Sequence, residues 1–277
     1  MKALTIASIT FSILLLCTGA SLAQDPKPIF DRAIDQLHNN QIDLAMNNFR
    51  RVLELTPDDP AANYNLGVCY YTLKQYGRAV PALRNAIRSQ PDFVDAYLYL
   101  GNSLDYLDHY AEAVAAYTKA IEYDTGNAQA YSDMGVAHER RKDYAAAAKA
   151  YQKAADLDPT KSDVYRALAR SYYNNGMFAQ AIPAYKHATL VDADNVTNHL
   201  YLGYAYAKTK QYDLAIASFN RVLGLDPNRA YALNGLGEAY IEQKNLGLAR
   251  KQYSALLPLD KALADKLLIK INSASSR

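Results

Sequence analysis

Catalysis needs a nucleophile, an acid–base pair or a set of metal ligands at workable spacing. The five histidines of this 277-residue sequence, His38, His109, His138, His187 and His199, are scattered along its length instead. His138-Glu139 opens like a zinc-protease motif, in which two histidines four residues apart share one helical face and the glutamate serves as general base. Lys142 stands where the second histidine belongs, and no other ligand cluster accompanies it. Cys69 would be the nucleophile to consider, but the residues found at 34-residue steps from it are Ser103, Ala137, Ser171, Ala205 and Ala239, all small. That pattern describes a packed thiol inside a helix rather than a reactive one. The glycines do not cluster into a phosphate-binding loop. Asn195-Val196-Thr197 fits a glycan acceptor, which matters only in a eukaryotic secretory source. No enzyme activity, cofactor or metal is expected.

The residues follow a repeating pattern instead. Ala45, Ala79, Ala113, Ala147, Ala181, Ala215 and Ala249 recur every 34 residues without a slip. A fixed period of that size announces a solenoid. In the same register run Gly67, Gly101, Gly135, Gly203 and Gly237, with Ala33 and Ala169 as small substitutes. Bulky positions follow: Ile42, Tyr76, Tyr110, Tyr144, Phe178, Tyr212 and Leu246, then Phe49, Leu83, Tyr117, Tyr151, Tyr185, Phe219 and Tyr253. Pro57, Pro91, Pro159 and Pro227 mark the unit ends, because proline lacks a donor and turns the preceding residue away from helix. In Asn63–Lys74, Tyr97–Leu107 and Tyr110–Tyr123 the apolar residues return at three and four residue steps, which predicts pairs of amphipathic helices. Small residues let the two backbones approach at the crossing, and large ones fill the space around it. One pair cannot bury both apolar faces, so neighbours must stack. Pro81 and Pro183 fall near the start of second helices, where each removes at most one hydrogen bond.

The segment Ala61–Pro91, with its Leu-Gly, Tyr, Ala, bulky, Ala, Pro order, resembles the tetratricopeptide repeat (TPR) family. The likeness runs from about Pro26 to Lys261 with no insertion between units. It implies an all-α fold, a right-handed α-solenoid (superhelix) of seven helix-turn-helix repeats with a C-terminal capping helix. The units are expected at about 26–59, 60–93, 94–127, 128–161, 162–195, 196–229 and 230–263, with the capping helix at 259–271 and a flexible tail at 272–277. The resemblance further implies that the first helix of each pair lines a concave groove that receives a peptide or a partner's helix.

Residues 1–23 are of another kind: Lys2, an apolar run from Leu4 to Cys17, and a small-x-small end at Ser21 and Ala23 before polar Gln24. That order reads as a secretory signal cleaved after Ala23, giving an exported protein, periplasmic in a bacterium. An uncleaved anchor is weakened by interspersed Ser and Thr and by the lack of a basic flank after it, so membrane contact is expected only if the segment is retained. A lipoprotein signal is weakened by bulky Leu16 before Cys17. Without Cys17 only Cys69 remains, so no internal disulfide is expected. A formal net charge of +2, with no block of Lys or Arg, excludes the counterion-displacing surface of a nucleic-acid binder.

Tyrosine is the unusual component, with 24 residues against no tryptophan. Fifteen sit in the repeat series and Tyr123 near a helix end. The other eight, Tyr64, Tyr71, Tyr99, Tyr106, Tyr173, Tyr201, Tyr204 and Tyr231, fall on first helices. Of these, Tyr64, Tyr71 and Tyr173 stand where typical repeats often carry tyrosine. Tyrosine offers contact area at low rotamer cost and a hydroxyl for backbone groups. Asp95, Asp105, Asp133 and Glu139 share this face with Arg140, Arg166 and Arg170. The expected groove is therefore Tyr99, Asn102, Asp105, Tyr106, Asp133, Arg140, Arg166, Arg170, Tyr173, Tyr201 and Tyr204. One branch of the family grips a terminal carboxylate with Lys and Asn on three successive first helices. Tyr64, Asn65, Val68, Asp95 and Tyr99 fill those places here, so such a tail is not expected. The resulting expectation is a non-enzymatic scaffold or adaptor of the cell envelope that binds a protein or peptide. A second reading is a structural component that self-associates or anchors within an envelope assembly.

Overall fold

The computed structural model describes residues 25–276, so the proposed signal and Cys17 lie outside the described residues. Among those residues there are fifteen α-helices and no strand. The seven pairs are α1 (Lys27–His38) with α2 (Ile42–Leu55), α3 (Pro60–Thr72) with α4 (Tyr76–Ser89), α5 (Val94–Tyr106) with α6 (Tyr110–Tyr123), and α7 (Ala128–Arg140) with α8 (Tyr144–Leu157). They continue as α9 (Ser162–Asn174) with α10 (Phe178–Val191), α11 (Val196–Lys208) with α12 (Tyr212–Leu225), and α13 (Ala230–Glu242) with α14 (Leu246–Leu256). α15 (Lys261–Ser275) closes the array.

Each helix packs on its sequence neighbours, and successive first helices also touch: α3 with α5, α5 with α7, α9 with α11, and α11 with α13. The side formed by the first helices is thus the inner side of the solenoid.

The crossing inside each pair has one physical form. A Cβ added to Gly67 would lie 2.6 Å from Leu83, one on Gly101 2.5 Å from Tyr117, one on Gly135 2.8 Å from Tyr151, and one on Gly203 2.7 Å from Phe219. The small residue is the floor on which the large side chain 16 positions later rests. Phe49, Leu83, Tyr117, Tyr151, Tyr185 and Phe219 are all at most 1% exposed. In the seventh unit the scheme changes: Tyr253 is only partly buried, and the floor of Gly237 is met by Leu267 of α15 at 2.7 Å. α15 therefore acts as the missing neighbour, burying Ala264, Leu267 and Ile271 against α13 and α14. It runs four residues past the expected end at Ile271, to Ser275, and so includes part of the segment read from sequence as a flexible tail. Ser273 and Ser275 hydroxyls donate to the Ile269 and Ile271 carbonyls, four residues back along the helix.

The turn within each pair also repeats. Asn40, Lys74, Asp108, Lys142, Gly176, Lys210 and Lys244, again 34 apart, all have φ between 57° and 76°. This left-handed residue lets the following amide reach back five residues, as in Gln75 N–H to the Tyr70 carbonyl at 2.8 Å, and terminates the first helix. Pro81 and Pro183 lie inside α4 and α10 on exposed positions. Pro81 also lines an outward depression of about 440 Å³ between α2, α3 and α4.

If ring-on-glycine contact sets the crossing, Gly135→Val should force Tyr151 aside. Urea unfolding followed by circular dichroism is expected to show a loss of about 2–3 kcal/mol, the upper range for overpacking. An unchanged midpoint would remove the contact from the account.

Candidate functional site

The inner face is built from the first helices at a fixed register. On α7 the residues that look inward are Gln129, Asp133, Val136 and Arg140, spaced four, three and four apart along one helical stripe. The corresponding stripe of α5 carries Asp95, Tyr99, Asn102 and Tyr106. Where these stripes face each other they enclose a cavity of about 390 Å³, lined by Tyr71, Asn102, Asp105, Tyr106, Tyr117, Gln129, Asp133, Val136 and Arg140.

Five of the residues expected in the groove, Asn102, Asp105, Tyr106, Asp133 and Arg140, meet at this one cavity. Tyr99 lies beside it in a run of edge-to-face and tilted rings: Tyr64 with Tyr99 at 5.8 Å, Tyr99 with Tyr71 at 5.2 Å, and Tyr71 with Tyr106 at 6.0 Å. Tyr106 stacks flat on Tyr76 of α4, with centroids 4.5 Å apart and planes 5° from parallel. One face of Tyr106 is thus held by the scaffold while the residue stays 53% exposed.

A second ring cluster lies further along. Tyr173 meets Tyr201 at 6.2 Å, Tyr201 meets Tyr204 at 6.3 Å and lies parallel to the core ring Tyr185 at 6.0 Å. The Tyr204 hydroxyl donates to the Tyr231 carbonyl at 2.9 Å, which ties α11 to α13. Between the clusters Arg170 donates from Nε and Nη2 to both oxygens of Glu139, at 3.1 and 2.6 Å, and Ser171 and Tyr151 hydroxyls donate to the same carboxylate at 3.0 and 3.1 Å. Arg170 is therefore engaged in clamping α7 to α9. Arg166 is half-buried on α9.

Tyr117, Gln129 and Val136 line the cavity without having been expected there, and Tyr71, one of the eight first-helix tyrosines, lines it although its position is one where typical repeats carry tyrosine. Gln129 and Val136 share the stripe of Asp133 and Arg140, so helical spacing carried that signal. Tyr117 is a core ring whose hydroxyl passes between the helices and donates to Asn102 Oδ1 at 2.6 Å. Nothing in its own position along the sequence announces that reach.

The cavity's electrostatics are set by two carboxylates in poor solvent. Burial is the largest influence on Asp105 and raises its pKa, opposed by the Arg140 guanidinium. Arg140 Nε lies 3.3 Å from Asp105 Oδ2, and its guanidinium sits over the Tyr110 ring at 5.9 Å. Asp133 is pushed up to about 6, first by burial and then by the Asp105 charge, against a 2.8 Å hydrogen bond from Gln129 Nε2 to its Oδ1. Burial also lifts Tyr71 to about 12, so its hydroxyl stays protonated and can donate.

Among the described residues no three His, Cys, Asp or Glu side chains gather in a way that could hold a metal ion. Cys69 is fully buried and its thiol is pushed up to about 11 by that burial, which keeps it protonated and inert at neutral pH. Among the described residues no helix is long and apolar enough to cross a membrane.

The raised Asp133 value has a sign that can be measured. Between about pH 4 and 6 the folded chain holds a proton on Asp133 that the unfolded chain has released, so this residue makes folding less favourable as pH rises through 6. Asp133→Asn should therefore stabilise by about 1–2 kcal/mol at pH 7.5, a figure reduced for partial solvation, and the gain should vanish near pH 4. Urea midpoints at the two pH values test this. A gain that grows as the pH falls would contradict it.

Comparisons with known proteins agree with this architecture. A family profile described as tetratricopeptide repeat matches residues 166–230 and 211–264. Another, described as the tetratricopeptide repeat protein 21 C-terminal ARM domain, matches residues 31–187. No curated protein matches the sequence significantly. Among solved structures, the C-terminal part of a TPR repeat-containing protein from Cytophaga hutchinsonii is 20% identical, with a TM-score of 0.70 over 86% of this chain and 99% of its own. YrrB, described as a TPR protein with an unusual peptide-binding site, is 23% identical, with a TM-score of 0.60 over 66% of this chain and 95% of its own. MamA of Desulfovibrio magneticus RS-1 is 19% identical, with a TM-score of 0.57 over 61% and 96%. By its 34-residue period, its stacked helix pairs and these matches, the chain belongs to the tetratricopeptide repeat family.

Proposed function

We propose that this chain is an exported scaffold of the bacterial cell envelope that holds a segment of a partner protein in its concave groove. The observation that carries the reading is the inner face itself. Rings outside the repeat's own tyrosine series stand exposed there, Tyr106 at 53% on the polar cavity, and Tyr201 at 36% and Tyr231 at 58% further along the face. Tyrosines already fixed by ring-on-ring contact, as Tyr106 is on Tyr76 and Tyr201 is on Tyr185, lose little entropy on binding, which is what a contact surface for an extended segment requires. The peptide-binding site named for YrrB lends the reading support by analogy of fold. The envelope location rests on Lys2, the apolar run Leu4–Cys17 and the Ser21-x-Ala23 end.

The test separates grip from stability. Immobilised protein and a Tyr106→Ala/Tyr201→Ala variant are each exposed to an extract of the source cells' envelope, and retained proteins are quantified by mass spectrometry. The variant is expected to keep its helical signal and to retain the specific partners at least fivefold less. Equal retention by both would return these rings to structure. Protein recovered from the same cells is expected to begin at Gln24, and an intact Met1 would count against cleavage of the segment as a signal.

A further inference from the structure

In the 390 Å³ cavity between α5 and α7 a buried carboxylate oxygen has nothing to accept from. Asp105 is 8% exposed, and its Oδ1 is buried with no hydrogen-bond partner. Arg140 approaches only Oδ2, and from 3.3 Å. A second carboxylate, Asp133, lines the same space and accepts from Gln129 through Oδ1. A buried acceptor without a donor costs free energy, more so when it carries charge, and a ligand that brings donors recovers it. The walls around these two groups are the rings of Tyr71, Tyr106 and Tyr117. Ring faces attract cations, and desolvated sites strengthen that attraction.

Resting on the groove reading above, we propose that this cavity is the specificity pocket of the groove and receives one arginine or lysine side chain of the bound segment. Its ammonium or guanidinium group donates to Asp105 Oδ1 and to the Asp133 carboxylate, while its methylene stem lies along Tyr106 and Tyr71. Two carboxylates against one guanidinium leave the lining a net negative charge, with Lys161 acting on Asp133 only as the weakest of its influences. Arg140 shows how such a cation is already held here, on Asp105 and over the Tyr110 ring. Being 43% exposed at its side chain, it has room to swing aside. A bare divalent cation suits the cavity less well, since no third His, Cys, Asp or Glu joins the two carboxylates among the described residues. Two carboxylates likewise repel an acidic segment.

The purified protein is panned against a displayed library of random decapeptides. Peptides that bind are expected to carry Arg or Lys at one aligned position at least threefold above its frequency in the library. One of them, resynthesised with uncharged citrulline or norleucine at that position, is expected to bind at least tenfold more weakly. Asp105→Asn should abolish the preference. Because Asp105 also packs within α5, Asp133→Asn is panned in parallel, and circular dichroism selects the folded variants to be scored. Arg140→Gln, which removes the resident cation, is expected to tighten binding of the cationic peptide at least threefold. Bound peptides with no preference for Arg or Lys, or a preference that folded carboxylate variants keep, would overturn the pocket while leaving the groove reading in place. If the library yields no binder at all, both fall together.

Discussion

A large side chain resting on a residue with almost none is the contact on which the rest of this molecule depends. Glycine or alanine on each first helix, met 16 residues later by Leu, Tyr or Phe, fixes how closely and at what angle the two helices cross. The same large residue is buried in each of the first six units, so small rotations accumulate in one sense and a groove results. The crossing also explains why α15 is needed. Gly237 exposes a floor with no ring of its own unit fully seated on it, and Leu267 covers it. A solenoid that stopped at α14 would leave Leu233, Ala249 and Leu256 open to water.

That constraint reaches the groove through the rings' hydroxyls. Tyr117 holds Asn102 and Tyr151 holds Glu139, so polar groups on the inner face are fixed by residues whose bodies belong to the core. Positions that touch a ligand need such support to keep their geometry. It also explains the division of the face. Where Tyr151, Arg170 and Ser171 converge on Glu139, the charges satisfy one another and little is left for a partner. Where Asp105 meets a single long contact from Arg140, bonding capacity is left over.

The period, the helix pairs and the identity of the crossing residues were legible in the sequence because each is a local rule repeated seven times. Repetition turns weak signals such as a lone alanine into strong ones. Five cavity residues were legible as well, since helical spacing puts Asn102 and Tyr106, or Asp133 and Arg140, on one stripe. Three things were not. The left-handed turn residue was not legible because only Asn40, Asp108 and Gly176 are of types that favour it, whereas four of the seven are lysines. The Glu139–Arg170 pair joins residues 31 apart, not 34, so register analysis passes over it. The length of α15 was not legible because a Ser-rich end reads from composition alone as fraying, whereas the helix runs to Ser275.

The central claim is that partners enter from the inner face. Photo-crosslinking in living cells addresses it most directly, with a benzophenone side chain placed at Tyr106 on the inner stripe or at exposed Lys149 on the second helix α8. A discrete adduct with another protein from Tyr106, and none from Lys149, is the result this account requires. Adducts from Lys149 with none from Tyr106 would contradict it, moving the working surface to the outer helices.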